Sequence, residues 1–188
     1  MSNEINEVNN SKSKVLKLAK MGMLGAISII LVTFIHFPII PGFQFLEYDP
    51  ADVPILITSF AFGPFSGILL TIVVAAVQGT TVSAGSGPWG ILMHIISTGT
   101  LALVAGGIYK FRKTRTTAVI ALAVATISVT VVMCPANLLI TPIYTGLPRA
   151  AVAAIIVPVI VPFNLIKCSA NSILTFFLYK RISPLLHK

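Results

Sequence analysis

Residues 53–84 read VPILITSFAFGPFSGILLTIVVAAVQGTTVSA, an uncharged run of 32 residues. A membrane-crossing helix needs roughly 20 predominantly apolar residues. The run is long for one straight crossing, and the number of times it crosses decides the fold. Gly63-Pro64 sits inside it. Proline lacks a backbone N–H, clashes with the preceding turn and drives the residue before it out of helical geometry. The run therefore divides into a short helix over about 53–62 and a longer one over about 65–84. The short piece is about half a straight span. It must tilt or have its ends covered by protein, because irregular backbone at membrane depth survives only when buried or lining a cavity.

Charge demands the same division. The other apolar runs are 15–37, 88–109, 116–146 and 150–179, and three basic clusters flank them: Lys12, Lys14, Lys17 and Lys20; Lys110, Arg112, Lys113 and Arg115; Lys180, Arg181 and Lys188. Lys and Arg beside span ends mark the cytoplasmic side. An even number of crossings must then separate the first cluster from the second, so the 53–84 run crosses twice. The expectation is an all-α integral membrane protein with six transmembrane helices, a short second helix and both termini cytoplasmic. Residues 1–14 form a polar N-terminal tail, 15–182 the membrane domain and 183–188 a C-terminal tail. The N-terminal apolar run extends to Phe37, too long for a cleavable signal core. Trp89 falls at the outer boundary, where indole rings are favoured.

Composition agrees. Hydrophobic residues make up 56% of the 188-residue chain and charged residues 10%, against roughly 25% charged in a soluble domain. So little charge cannot cover a water-facing surface, so the lipid bilayer must. The net charge of +8 lies in the juxtamembrane clusters, where it meets anionic lipid. No basic face remains for nucleic acid. Cys134 and Cys168 lie inside apolar runs and read as apolar-side thiols.

The polar residues inside the spans carry the functional signal. Lys167 lies deep in the last run, and a charge there usually faces a cavity and serves a function. Asn164 and Asn171, three residues before it and four after, share its helix face. Pro158 and Pro162 loosen the preceding turn. In the fifth span Pro135 adjoins Asn137, about nine residues from the end of the run at Gly146. Asn164 is at comparable depth. These positions place a pocket in the outer half, floored by Asn137, Asn164 and Lys167. Its roof is the 38–52 loop, which holds Glu47, Asp49 and Asp52 with Phe43, Phe45 and Tyr48. Amides that both donate and accept suit a flat heterocycle with imide-like edges or a polyhydroxyl tail. The competing reading pairs Lys167 with Glu47 or Asp52 and uses the amides to bridge helices. The loop can equally be read as a solvated connector. His94, beside Ser97 and Thr98, reads as an interhelix hydrogen bond. Gly22 and Ala26 form a small-xxx-small pair that permits close helix contact, internal or with another subunit.

No phosphate-binding Gly-x-x-x-x-Gly-Lys-Ser/Thr loop, His-Glu-x-x-His pair or intramembrane carboxylate pair is present. ATP hydrolysis by this chain, metal chemistry and a bound cofactor are therefore not expected, and the protein does not read as an enzyme.

Several stretches carry a family resemblance: Met23-Leu24-Gly25-Ala26-Ile27, Leu46-Glu47-Tyr48-Asp49-Pro50-Ala51-Asp52-Val53-Pro54, Phe62-Gly63-Pro64 and Pro162-Phe163-Asn164-Leu165-Ile166-Lys167. On these, over about residues 15–182, the chain resembles the substrate-binding subunits (S components) of energy-coupling-factor vitamin transporters. It is most similar to the riboflavin-specific type. The resemblance implies six helices in the cell membrane and a vitamin held in the outer half under the first loop. It implies a transmembrane coupling subunit and two ATPase subunits that supply the energy. It assigns vitamin contacts to Asn137, Asn164 and Lys167, and an acidic loop position to Glu47, where the type carries Asp. Gly22 and Ala26 map onto the face that meets the coupling subunit. Residues 78–81 and 83–87 depart from the type. The implied function is riboflavin capture and translocation. The alternatives are another vitamin such as pantothenate or, from a different class, a membrane enzyme using His94 and an acid.

Overall fold

The computed structural model describes residues 2–186, with side chains from residue 11 onward. Met1, His187 and Lys188, from the two expected tails, lie outside the described residues. Six helices follow one another: α1 (Ser2–Phe34), α2 (Asp52–Phe62), α3 (Pro64–Thr80), α4 (Gly87–Phe111), α5 (Arg115–Thr145) and α6 (Arg149–Leu186). A two-residue ribbon, β1 (Phe37–Pro38) with β2 (Glu47–Tyr48), folds the α1–α2 loop back on itself, pairing Phe37 with Tyr48 and Pro38 with Glu47. A 3-10 turn at Ala84–Ser86 precedes α4.

The helix boundaries follow from local chemistry. Gly63 sits at φ 94°, a conformation that L side chains rarely adopt, and its N–H closes α2 onto Ser59 O at 3.0 Å. Pro64 then starts α3, where its missing N–H costs nothing. Gly146, at φ 72°, ends α5 in the left-handed manner of a C-terminal glycine. Residues 2–14 carry no proline or glycine, and α1 runs through them as helix. Pro135 stays inside a continuous α5 together with Pro142. In α6 the disturbance concentrates at Pro158, where Ile156–Ile160 widens into a π-turn.

α2 is the buried centre. Every residue from Asp52 to Phe60 is shielded. At 1.5 Å per residue its 11 residues span roughly 16 Å, about half the hydrocarbon thickness. The other helices, rather than lipid, enclose it, and this answers the requirement that a short span has its ends covered. Ser59 is its tightest contact: the hydroxyl donates to Ala102 O of α4 at 2.6 Å. A Cβ on Gly67 would lie 2.7 Å from Ser59 Cβ, and one on Gly106 would overlap Ser59 Oγ.

The segments Ser11–Phe34, Ala84–Phe111, Arg115–Thr145 and Arg149–Leu186 are long and apolar enough to cross a membrane, and α2 and α3 are shorter. Their outward faces expose large apolar side chains such as Phe65, Ile127, Val131 and Phe177, the surface that lipid covers. The basic clusters gather at one end. Lys20 Nζ donates to Leu186 O at 2.8 Å, and Lys113, Arg115 and Lys180 line one hollow. The acidic α1–α2 loop lies at the other end of α1. Cys134 and Cys168 are both free thiols.

Candidate substrate-binding site

Loop, ribbon and helix ends surround a cavity with an open mouth on the side of the α1–α2 loop. Three surfaces bound it. The loop contributes Phe45, Leu46, Glu47 and Asp49. α5 and α6 contribute Met133, Asn137, Tyr144, Phe163, Asn164 and Lys167. The α3–α4 side contributes Gln78, Gly79, Ser83, Ile91, His94 and Ser97 among others. All four candidate ligand residues, Glu47, Asn137, Asn164 and Lys167, therefore line one cavity. The loop is a roof tied down by packing and charge, not a solvated connector. Its Leu46 is buried, and its Phe45 meets Tyr144 edge-on, ring centres 6.3 Å apart.

The charge of Lys167 is answered by Asp49, not by Glu47 or Asp52 side chains as the alternative reading had it. Lys167 Nζ lies 2.8 Å from Asp49 Oδ2 and donates to Glu47 O at 3.2 Å. Asp49 Oδ1 accepts the Ala51 N–H at 3.1 Å, a turn that presents the other oxygen to the lysine. Asp52 is engaged elsewhere: it accepts from Asn171 Nδ2 at 2.9 Å and from the Thr98 hydroxyl at 2.7 Å. Asn171 also donates to Asp49 O at 3.0 Å. His94 stands 4.0 Å from Asp52 and 3.3 Å from Thr98. The loop is thus pinned to α6 by two residues one turn apart, Lys167 and Asn171, as their i, i+4 spacing allows. Burial pushes the Asp49 carboxyl up, but the ammonium of Lys167 beside it prevails, and the group is held below the usual carboxylate range.

The two amides are braced on their own helices. Asn137 Nδ2 donates to Met133 O at 2.8 Å while its Oδ1 accepts from the Thr141 hydroxyl at 2.9 Å. Asn164 Nδ2 donates to Ile160 O at 2.8 Å, at the end of the π-turn. Bracing fixes rotamers, and fixed rotamers make a preorganised wall. Reasoning from the sequence missed Asp49 as the lysine's partner, and it missed Gln78. Asp49 was visible in the acidic loop, but which of three acids meets Lys167 depends on the ribbon's register.

On α1, Gly22 and Ala26 face outward and are exposed, and a Cβ at Gly22 would meet nothing within 4 Å. Internal contact falls to Gly25, whose added Cβ would lie 2.9 Å from Leu70 Cδ1.

Residues 16–179 match the family described as ECF transporter, substrate-specific component. The chain belongs to this family. The S component is 33% identical over 162 residues to the riboflavin transporter RibU of Staphylococcus aureus (strain TCH60), an alignment covering 83% of this chain and 85% of that protein. A solved structure described as the S component of a bacterial ECF transporter superposes with a TM-score of 0.79 at 33% identity. It covers 92% of this chain and 98% of its own. The family is one of membrane transporter subunits and not of enzymes.

Proposed function

We propose that this S component captures riboflavin in the cavity beneath the α1–α2 loop and passes it through the plasma membrane. It would do so in complex with a transmembrane coupling subunit and two ATPase subunits. The observation that carries the reading is the convergence of Asn137, Asn164, Lys167 and Glu47 on one cavity, in a chain one-third identical to a protein named as a riboflavin transporter. The chemistry is complementary. Asn137 and Asn164 offer amides to an imide edge, and Lys167 offers N–H donors to ring carbonyls. Leu46, Ile91, Met133 and Phe163 supply apolar surface to ring faces. Asp49 holds the Lys167 ammonium in place at the cavity wall, 2.8 Å away.

The gathering of the basic clusters at one end supports cytoplasmic termini and a cytoplasmic 110–115 loop. A cysteine placed at position 114 should resist impermeant reagents in intact cells, and one at position 42 should react. Gly22 and Ala26, outward and uncommitted, form the contact face for the coupling subunit. Mass spectrometry and visible absorbance of the purified protein test the substrate. A copurifying yellow flavin is expected. A colourless protein carrying pantothenate or another small molecule would overturn the assignment.

A further inference from the structure

Gln78 lies in the last turn of α3, on the cavity wall. Only 7% of it is exposed, and its side-chain oxygen is shut from solvent without a hydrogen-bond partner. Leaving a buried polar group unpaired costs about 1–3 kcal/mol, so an orphan of this kind calls for an explanation. The other buried orphan among the described residues, Asn171 Oδ1, belongs to an amide whose nitrogen already ties Asp49 to Asp52. Asn171 does not line the cavity, and Gln78 does.

The backbone beneath Gln78 is firmly placed. Its carbonyl accepts the N–H groups of Thr81 at 3.2 Å and of Ser83 at 2.9 Å, closing the helix. The neighbouring Gly79 lies so close to α4 that an added Cβ would overlap the Ile91 side chain. Ser83 in turn donates to Glu47 Oε2 at 3.2 Å, joining this corner to the loop. A wall this well supported, carrying one uncommitted amide, suits a site that awaits a ligand group.

We infer that Gln78 is a specificity-determining residue that hydrogen-bonds a hydroxyl of the polyhydroxyl tail of the substrate. This rests on the riboflavin reading above and deepens it. The choice of a hydroxyl over a ring carbonyl follows from donor inventory. A carbonyl only accepts, so it cannot satisfy the orphan oxygen, and the N–H of the ring's imide edge lies with Asn137 and Asn164 in the reading above. A hydroxyl donates and accepts, so it satisfies the amide whichever end is presented. The surroundings agree: Ser83, Ser86 and Ser97 line the same side of the cavity, while the ammonium of Lys167 and the paired amides line the other. The ring's carbonyl edge therefore belongs to α5 and α6, and the tail to α3 and α4.

The test compares riboflavin with lumiflavin, the same ring system bearing a methyl group in place of the tail. Binding of both to the full chain is followed by quenching of flavin fluorescence, in the wild type and in Gln78→Leu and Gln78→Met. Both replacements are close in volume and remove the amide. Melting temperature measured on each variant reports folding. The expected result is a loss of about tenfold in riboflavin affinity with lumiflavin affinity unchanged. Equal weakening of both ligands in both variants would assign Gln78 to the ring or to the fold and overturn the inference. Unchanged riboflavin affinity would overturn it as well, leaving the buried oxygen to an ordered water. A wild-type chain that binds no flavin would instead defeat the substrate assignment itself, a failure separate from the other two.

Discussion

The α5–α6 wall of the cavity and the Gln78 corner of the α3–α4 wall hold their amides in opposite states. On the first, Lys167, Asn137 and Asn164 are each committed to a protein partner at 2.8 Å. On the second, Gln78 carries a buried oxygen with none. A committed wall is built to be rigid before anything binds, and an uncommitted amide is satisfied only by what arrives. The contrast also tracks helix chemistry. α5 and α6 contain Pro135 and Pro158, and the amides that follow them, Asn137 and Asn164, bond back to their own helix carbonyls. α3 contains no internal proline, and its wall is set by the close approach of Gly79 to Ile91.

The sharpest way to break the comparison is to remove the charge that commits the first wall. Lys167→Met strands Asp49, which is 1% exposed. Losing one partner of a buried pair costs about 3–5 kcal/mol. A large fall in melting temperature is expected, and adding Asp49→Asn should recover most of it by removing the stranded charge. No fall would mean that the pair opens to water in the resting protein.

Affinity, measured in the recovered Lys167→Met/Asp49→Asn chain, separates holding the loop from holding the ligand. Loss of a hydrogen bond from a charged donor is worth about 1.5–3 kcal/mol, so flavin binding should weaken about tenfold or more. Intact fluorescence quenching would reduce Lys167 to a structural partner and leave the cavity's polarity to the amides.

Acidification addresses the same pair without mutation. The Asp49 carboxyl is held below its ordinary value of 3.8. Its stabilising contribution is therefore complete above the unfolded value and drains away as pH falls through the lower, folded one. The melting temperature of the wild type should drop more steeply below about pH 4 than that of Asp49→Asn. Parallel curves would show that the pair carries no pH-dependent stability.

On the second wall, Gly79→Ala should cost about 1–3 kcal/mol, the usual penalty for overpacking, because the new Cβ must displace Ile91. Lys167 chemistry should be untouched, so the acid dependence should match the wild type. The smallest effect on the isolated chain is expected outside both walls. Gly22→Leu/Ala26→Leu should leave flavin binding and melting temperature unchanged, because both positions are exposed and a Cβ at Gly22 meets nothing within 4 Å, yet weaken copurification with the coupling subunit. A variant that assembles normally would move the contact face elsewhere.

Much of this protein could be read from its residues in order. Six helices follow from apolar run lengths, from Gly63-Pro64 and from the parity of three basic clusters. These are local properties: a proline cannot continue a ladder that needs its N–H, and lysine will not sit in hydrocarbon. That Asn137, Asn164 and Lys167 line one cavity was legible for the same reason, since polar groups inside apolar runs stand out against their neighbours, and Glu47 stood out as one of three acids in the loop. Tertiary structure alone decided the rest. That Asp49 rather than Glu47 or Asp52 answers Lys167 depends on the two-residue ribbon that turns the loop, and three acids within six positions are equivalent until that turn is made. That Gly25 packs inward while Gly22 and Ala26 face out depends on how α1 is rotated against Leu70. Gln78 was hidden for a physical reason: an amide near the end of an apolar helix is ordinary in sequence, and only the packing of α3 against α4 buries its oxygen without a donor.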